Sequence, residues 1–165
     1  MTAKTRGRKV ISRARLAAIA RRMAGQGKRL VFTNGCFDLI HPGHVRLLQQ
    51  ARAMGDALAV AINSDASVRR LKGPGRPILA ARERAEVLSA FECVDYVVVF
   101  SEATPAAIVR AVRPGVLVKG GDWSPERIVG RDTVAADGGE VRVVPLRRGL
   151  STSALLQRIL AGRRR

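Results

Sequence analysis

The chain has 165 residues, enough for one domain that buries about 70% of its unfolded surface, and its balance of 47% apolar and 26% charged residues excludes a disordered or fibrous protein. Thirty Lys and Arg against thirteen Asp and Glu give a net charge of +17, so the chain draws anions: nucleic acid, an acidic membrane surface or phosphorylated small molecules. No apolar run is long enough to span a bilayer, no apolar segment follows the basic N-terminus as in a signal peptide, and Cys36 and Cys93 read as free thiols in a reducing cytoplasm.

Basic residues crowd both ends, from Lys4 to Arg15 and over Arg163–Arg165, and read as solvated tails rather than a nucleic-acid arm. The spacing predicts a helix over Ser12–Ala24, which with the tail makes a basic N-terminal segment, 1–27, ahead of a domain over 28–165. Five short Val-rich runs follow: Arg29–Thr33, Ala57–Ile62, Asp95–Phe100, Val116–Val118 and Val141–Val144. They are continuous rather than alternating, as in strands buried on both faces of a parallel sheet. Helical spacing separates them, beginning near His41 and closing at Gly55, then over Ala80–Phe91, Pro105–Val112 and Ser151–Leu160. The expected fold is therefore α/β: a Rossmann-like, doubly wound, parallel five-stranded sheet with helices on both faces, in a single domain. Ligands of such sheets bind at the carboxyl ends of the strands, near a topological switch point.

The chemistry-bearing segments all fall just after predicted strands. The first strand runs into Thr33-Asn34-Gly35-Cys36-Phe37-Asp38, then His41-Pro42-Gly43-His44. Gly35 allows close backbone approach, and Pro42 suits a first helical turn whose free N–H groups make an anion site. His41 and His44, the only histidines, share a face if the helix begins there. The spacing of Cys36, His41, His44 and Cys93 fits no common zinc pattern, so no metal site is expected. Neither a P-loop nor a dinucleotide glycine fingerprint is present. The second strand ends in Asn63-Ser64-Asp65, followed by Arg69, Lys72 and Arg76 in a Gly/Pro-rich stretch that reads as a mobile basic lid. The fourth ends in Lys119-Gly120-Gly121-Asp122-Trp123, and Ser151-Thr152-Ser153 opens the last helix.

These four segments, in this order, resemble the H-x-G-H nucleotidyltransferases of the cytidylyltransferase-like superfamily, over roughly Lys28 to Leu160. The Val118–Asp122 segment and the Gly138-Gly139-Glu140 run are most similar to the bacterial heptose 1-phosphate adenylyltransferases. The resemblance implies transfer of AMP from ATP to a heptose 1-phosphate with release of pyrophosphate, forming ADP-heptose for lipopolysaccharide core or surface glycans. It implies Mg²⁺ bound mainly through the triphosphate, and a homo-oligomer, dimer or tetramer. It assigns catalysis to His41, His44 and Lys72. Thr33, Asn34, Gly35, Cys36, Phe37, both histidines, Lys119, Gly120, Ser151, Thr152 and Ser153 would hold the nucleotide. Asp38, Asn63, Asp65, Arg69, Lys72, Arg76, Gly121, Asp122 and Trp123 would hold the sugar phosphate. Glu83-Arg84 resembles the pair that opens the corresponding family helix, where Arg84 either supports the phosphate region or is an exposed helical charge.

The sequence departs from the family at Ser153, where Thr is frequent, and at Ala154, where Asn or Lys is. In many bacteria a similar domain follows a sugar kinase in one polypeptide; here a free-standing enzyme is expected, supplied by a separate heptokinase. A phosphate monoester is largely dianionic at pH 7, so its attacking oxygen needs no general base, in keeping with motifs that supply cations, imidazoles and hydroxyls. Two rivals remain: a cytidylyltransferase acting on glycerol phosphate or another alcohol phosphate, and a basic nucleic-acid-binding module. The second is disfavoured because aromatic stacking residues are scarce, 4% of the chain.

Overall fold

The computed structural model describes residues 9–121, 123–145 and 152–162. Five parallel strands form one sheet in the order β3-β2-β1-β4-β5: β1 (Leu30–Gly35), β2 (Ala57–Asn63), β3 (Tyr96–Phe100), β4 (Val116–Gly120) and β5 (Glu140–Val144). The helices are α1 (Arg13–Gly25), α2 (Pro42–Arg52), α3 (Asp65–Lys72), α4 (Ala81–Ser89), α5 (Ala106–Val112), α6 (Arg131–Ala136) and α7 (Thr152–Gly162), with a 3₁₀ turn over Pro125–Arg127.

Alternation along the buried strands builds two apolar layers. On one face, Val31, Leu58, Val60, Ile62, Val116 and Val118 pack against Leu47, Leu48 and Ala51 of α2 and Ala85 and Leu88 of α4. On the other, Leu30, Phe32, Leu117 and the small Ala57, Ala59 and Ala61 meet α1, α5 and Val134 of α6. Three alanines in one strand give the large residues Leu16, Ile19, Ile108 and Val109 of that layer room to fill. Helix α1, expected within a segment ahead of the domain, belongs to this layer through Leu16, Ile19, Ala20 and Met23. Lys9–Ile11 extends the sheet, because Val97 N–H donates to the Lys9 carbonyl and Ile11 N–H to the Val97 carbonyl, capping part of the β3 edge.

The chain winds outward from β1 through β2 to β3, then returns by α5 to β4 on the other side of β1. The switch point thus lies between β1 and β4, and the carboxyl ends of those strands carry Asn34-Gly35 and Lys119-Gly120. The expected strands and the long helices are present, with ends shifted by one to three residues. Asp65–Lys72 differs: instead of a lid loop it is a helix, capped by Ser64, whose hydroxyl accepts from Ser67 N–H at 3.3 Å.

Candidate functional site

The β1–α2 turn is held from within. Helix α2 begins at Pro42 with His41 as its N-cap: His41 Nδ1 accepts from Gly43 N–H at 3.1 Å, so the neutral ring carries its proton on Nε2. The His41 and His44 rings stack at 3.8 Å between centroids, and Phe37 lies against His44 at 5.0 Å. Burial lowers the pKa of His41; burial first, and then its neighbour His41, pushes His44 down to about 4, the Leu39 carbonyl opposing. Both rings are neutral at pH 7 in the free protein. His44 Nδ1 and the Thr33 hydroxyl are buried without a hydrogen-bond partner among the described residues. Thr152, first residue of α7, donates to the Leu39 carbonyl at 3.4 Å and so brings the start of that helix to the same turn.

A cavity of about 440 Å³ opens at the carboxyl edge beside this turn. Asn34, Gly35 and Cys36 of the β1 end, Asn63, Lys72, Lys119 and Trp123 line it, as the sequence led one to expect. Lys72 is exposed at the end of α3, with no ion pair among the described residues. Lys119 is half-buried: its ammonium donates to the backbone and side-chain oxygens of Asn34, 3.2 Å each, and lies 6.0 Å from the Trp123 ring. Burial lowers its pKa, and no carboxylate among the described residues neutralises it. Gly121 adopts φ +123°, where a Cβ would stand 3.2 Å from the Trp123 ring, so glycine keeps that ring at the rim. The Cys36 thiol donates weakly to Asn63 Oδ1 at 3.8 Å; burial raises its pKa, with Lys72 and Arg84 opposing, which favours the thiol over the thiolate.

The carboxylates are placed otherwise than expected. Asp38 is 1% exposed, and its oxygens accept from Ile78 N–H (2.8 Å), Leu79 N–H (3.0 Å) and Arg76 Nε (2.6 Å). It latches the segment after α3 to the β1–α2 turn, and it consumes Arg76 in doing so. Asp65 likewise accepts from Ala81 N–H and from Arg84, both at 2.7 Å. Burial obliges Asp38 to be satisfied internally, whereas the Asp65 side chain is 38% exposed and spends Oδ1 on both of its bonds. Arg84 is the other correction: its side chain is wholly buried, not an exposed helical charge. Arg69 is exposed on α3 and Ser153 on α7, and neither lines the cavity; the two histidines stand beyond Phe37 and do not line it either. Asp122 and Ser151 lie outside the described residues.

The sequence reading missed Arg127, Leu71, Val129 and Thr104-Pro105, which complete the cavity wall. The pair Thr104-Pro105 follows the third strand, so the strand-end rule that found the other segments would have found it too. Arg127 carries no such signal, lying in a 3₁₀ turn that local pattern does not announce.

Fold and site together define an α/β domain whose cavity, with Lys72 and Lys119 in its wall, opens at the switch point of its sheet. The family model for cytidylyltransferase-like proteins matches residues 32–157, and the chain belongs to that family. It is 54% identical over 147 residues to the bifunctional protein HldE of Geotalea uraniireducens, covering 89% of this chain and 30% of that protein. Against the HldE of Syntrophotalea carbinolica it is 55% identical over 135 residues, 82% of this chain and 28% of that one. The chain thus spans under a third of the curated relatives it matches. Two solved structures share the fold. A lipopolysaccharide core biosynthesis protein from Thermoplasma volcanium has a TM-score of 0.61 at 24% identity, over 73% of this chain and 98% of its own. A pantoate-beta-alanine ligase from Francisella tularensis, complexed with beta-gamma ATP and beta-alanine, has 0.59 at 14%, over 90% and 72%.

Proposed function

We propose that this chain is an adenylyltransferase that joins AMP from ATP to a heptose 1-phosphate. The observation that carries the reading is the stacked, neutral His41–His44 pair at the N-terminus of α2, beside a cavity whose cations Lys72 and Lys119 have no acidic partner among the described residues. Identity of 54% to proteins called bifunctional, over under a third of their length, fits a domain carrying one of two activities.

In the reaction a sugar-phosphate oxygen forms a bond to the α-phosphorus of ATP, the bond from that phosphorus to the bridging oxygen breaks, and pyrophosphate leaves. The nucleophile is already ionised, so the site has no proton to remove. Its work is to place the reactants and stabilise charge as it shifts to the leaving group. Neutral imidazoles can approach an anion as donors without first being desolvated as cations, and the polyanion itself favours their protonation. Lys72 and Lys119 hold phosphates across the crevice, Thr152 and the start of α7 approach the triphosphate, and Trp123 offers an apolar face to sugar or base.

The described residues contain no group of three or more His, Cys, Asp or Glu able to hold a metal, and Asp38 and Asp65 are committed to internal bonds. Mg²⁺ would therefore be carried by the triphosphate and water, supplying charge neutralisation there. No described helix is long and apolar enough to cross a membrane, in keeping with soluble substrates and a cytoplasmic enzyme. A dimer or tetramer remains the expectation for its assembly.

Pyrophosphate release is the test, with ATP and CTP each offered heptose 1-phosphate, other sugar 1-phosphates and glycerol phosphate. Turnover with ATP and heptose 1-phosphate above every other pair is expected. Preference for CTP with an alcohol phosphate would replace this reading with the cytidylyltransferase one.

A further inference from the structure

Arg84 lies in the first turn of α4 with its side chain wholly buried, where a charge persists only if its donors are used. Nε donates to the Leu79 carbonyl at 2.9 Å and Nη2 to Asp65 Oδ1 at 2.7 Å, tying α3 to the entrance of α4. Nη1 reaches a different part of the fold: it donates to the carbonyl of Cys36 at 2.7 Å, in the loop that follows β1.

The peptide between Cys36 and Phe37 is planar, so its N–H points opposite to its carbonyl and away from Arg84. Phe37 itself has φ +47°, a left-handed conformation that an aromatic residue adopts only when its surroundings enforce it. Phe37 is 5% exposed, yet no acceptor among the described residues takes its N–H. Orphaned donors on buried residues are rare, and this one belongs to the residue whose ring lies against His44.

We propose that Arg84 is a positioning residue for nucleotide binding: by holding the Cys36 carbonyl it aims the Phe37 N–H at a phosphate oxygen of the bound triphosphate. The inference rests on the nucleotidyl-transfer reading above. Without the guanidinium the peptide is free to turn and relax the left-handed Phe37, which would present a carbonyl to the phosphate instead of a donor.

The test compares Arg84→Lys, which keeps the charge but replaces three donor nitrogens by one, with Leu88→Ala, which weakens the same helix through the buried core alone. Mg-ATP affinity is measured by calorimetry at a temperature where both variants are folded, with kcat and each KM from pyrophosphate release. Arg84→Lys is expected to weaken ATP binding by about ten- to a hundredfold and to lower kcat, the worth of a charge-receiving hydrogen bond, with KM for the sugar phosphate unchanged. Leu88→Ala is expected to lower Tm and leave ATP affinity intact. Equal ATP affinity in Arg84→Lys and wild type, or equal losses in the two variants, overturns the proposal.

Should Arg84→Lys not fold, the wild-type chain decides: its Phe37 amide proton must move downfield when Mg-ATP is added, and a stationary resonance overturns the assignment. If wild type binds ATP but releases no pyrophosphate with any sugar phosphate, the adenylyltransferase reading falls while the affinity ratio still judges Arg84. Absence of ATP binding overturns both.

Discussion

The two ends of the sheet carry two cavities, and the larger one is at the wrong end for chemistry. At the amino end about 610 Å³ is enclosed by Lys28, Arg29, Arg113, Gly115, Asp137 and Glu140 among others; at the carboxyl end the volume is about 440 Å³. Charge distinguishes them better than size. At the amino end Arg29 pairs with Glu140 at 2.8 Å and Arg113 forks onto Asp137, so the strongest cations are answered by the protein itself. At the carboxyl end Asp38 and Asp65 are spent on Arg76, Arg84 and backbone N–H groups, and among the described residues no carboxylate pairs with Lys72 or Lys119, near two neutral imidazoles. A site for a polyanion is made by withholding its own counter-charges.

The largest effect expected at the carboxyl end is on turnover. His44→Ala removes a donor from the reacting phosphates and is expected to lower kcat by about 10²–10³-fold, with the fold intact by circular dichroism. Near-normal turnover in a folded His44→Ala would break the contrast between the two ends at its centre.

Next in size is a pH effect on stability. The pKa of His44 falls from 6.5 to about 4 on folding, chiefly by burial. The unfolded chain therefore binds the proton more readily than the folded one. The stability tied to a neutral ring is fully present above pH 6.5 and is lost as pH falls from there toward 4. The expected loss is about 3 kcal/mol by linkage, with His41 shifted in the same direction. Urea titrations of the free protein across that window measure it, and His44→Gln should flatten the curve.

Much of this end was legible before any coordinates, and the reason is topological. A parallel doubly wound sheet puts every strand-to-helix turn at one edge, so segments that follow strands in sequence, Gly35–His44 and Lys119–Trp123, meet in space. What could not be read was commitment. The family resemblance assigns Asp38 and Asp65 to the substrate; their internal bonds depend on the path of residues 76–81, which no local pattern encodes. For Arg84 the sequence leaves open a support for the phosphate region or an exposed helical charge, and its charged neighbours Arg82, Glu83 and Glu86, all exposed, give no local sign of its burial. The helix α3 was hidden by its composition: within Asp65–Lys72 only Val68 is an apolar residue that becomes buried, too few to set a helical period.

Lys119→Met sharpens the comparison further. A half-buried cation with no carboxylate beside it among the described residues costs stability, so its removal should leave Tm unchanged or raise it. ATP affinity should nevertheless fall by about tenfold, the loss of one charge-assisted contact. A drop in Tm with unchanged affinity would instead make Lys119 a support for Asn34 and remove it from the phosphate site.

The smallest effect is expected at the amino end, and it tests the argument from the other side. Arg29 and Arg113 face Glu140 and Asp137 in exposed pairs, where water and salt screen the attraction. Arg21 and Lys28 line the same cavity on its open side. If volume rather than uncommitted charge marked the binding site, Arg29→Ala with Arg113→Ala would cripple turnover. The expected outcome is kcat/KM within about twofold of wild type for both substrates, as for surface changes remote from a site. Salt separates the two ends in the same assay. Raising ionic strength should weaken ATP binding in wild type and double variant alike, because the charges that ATP meets lie at the opposite end of the strands from Arg29 and Arg113.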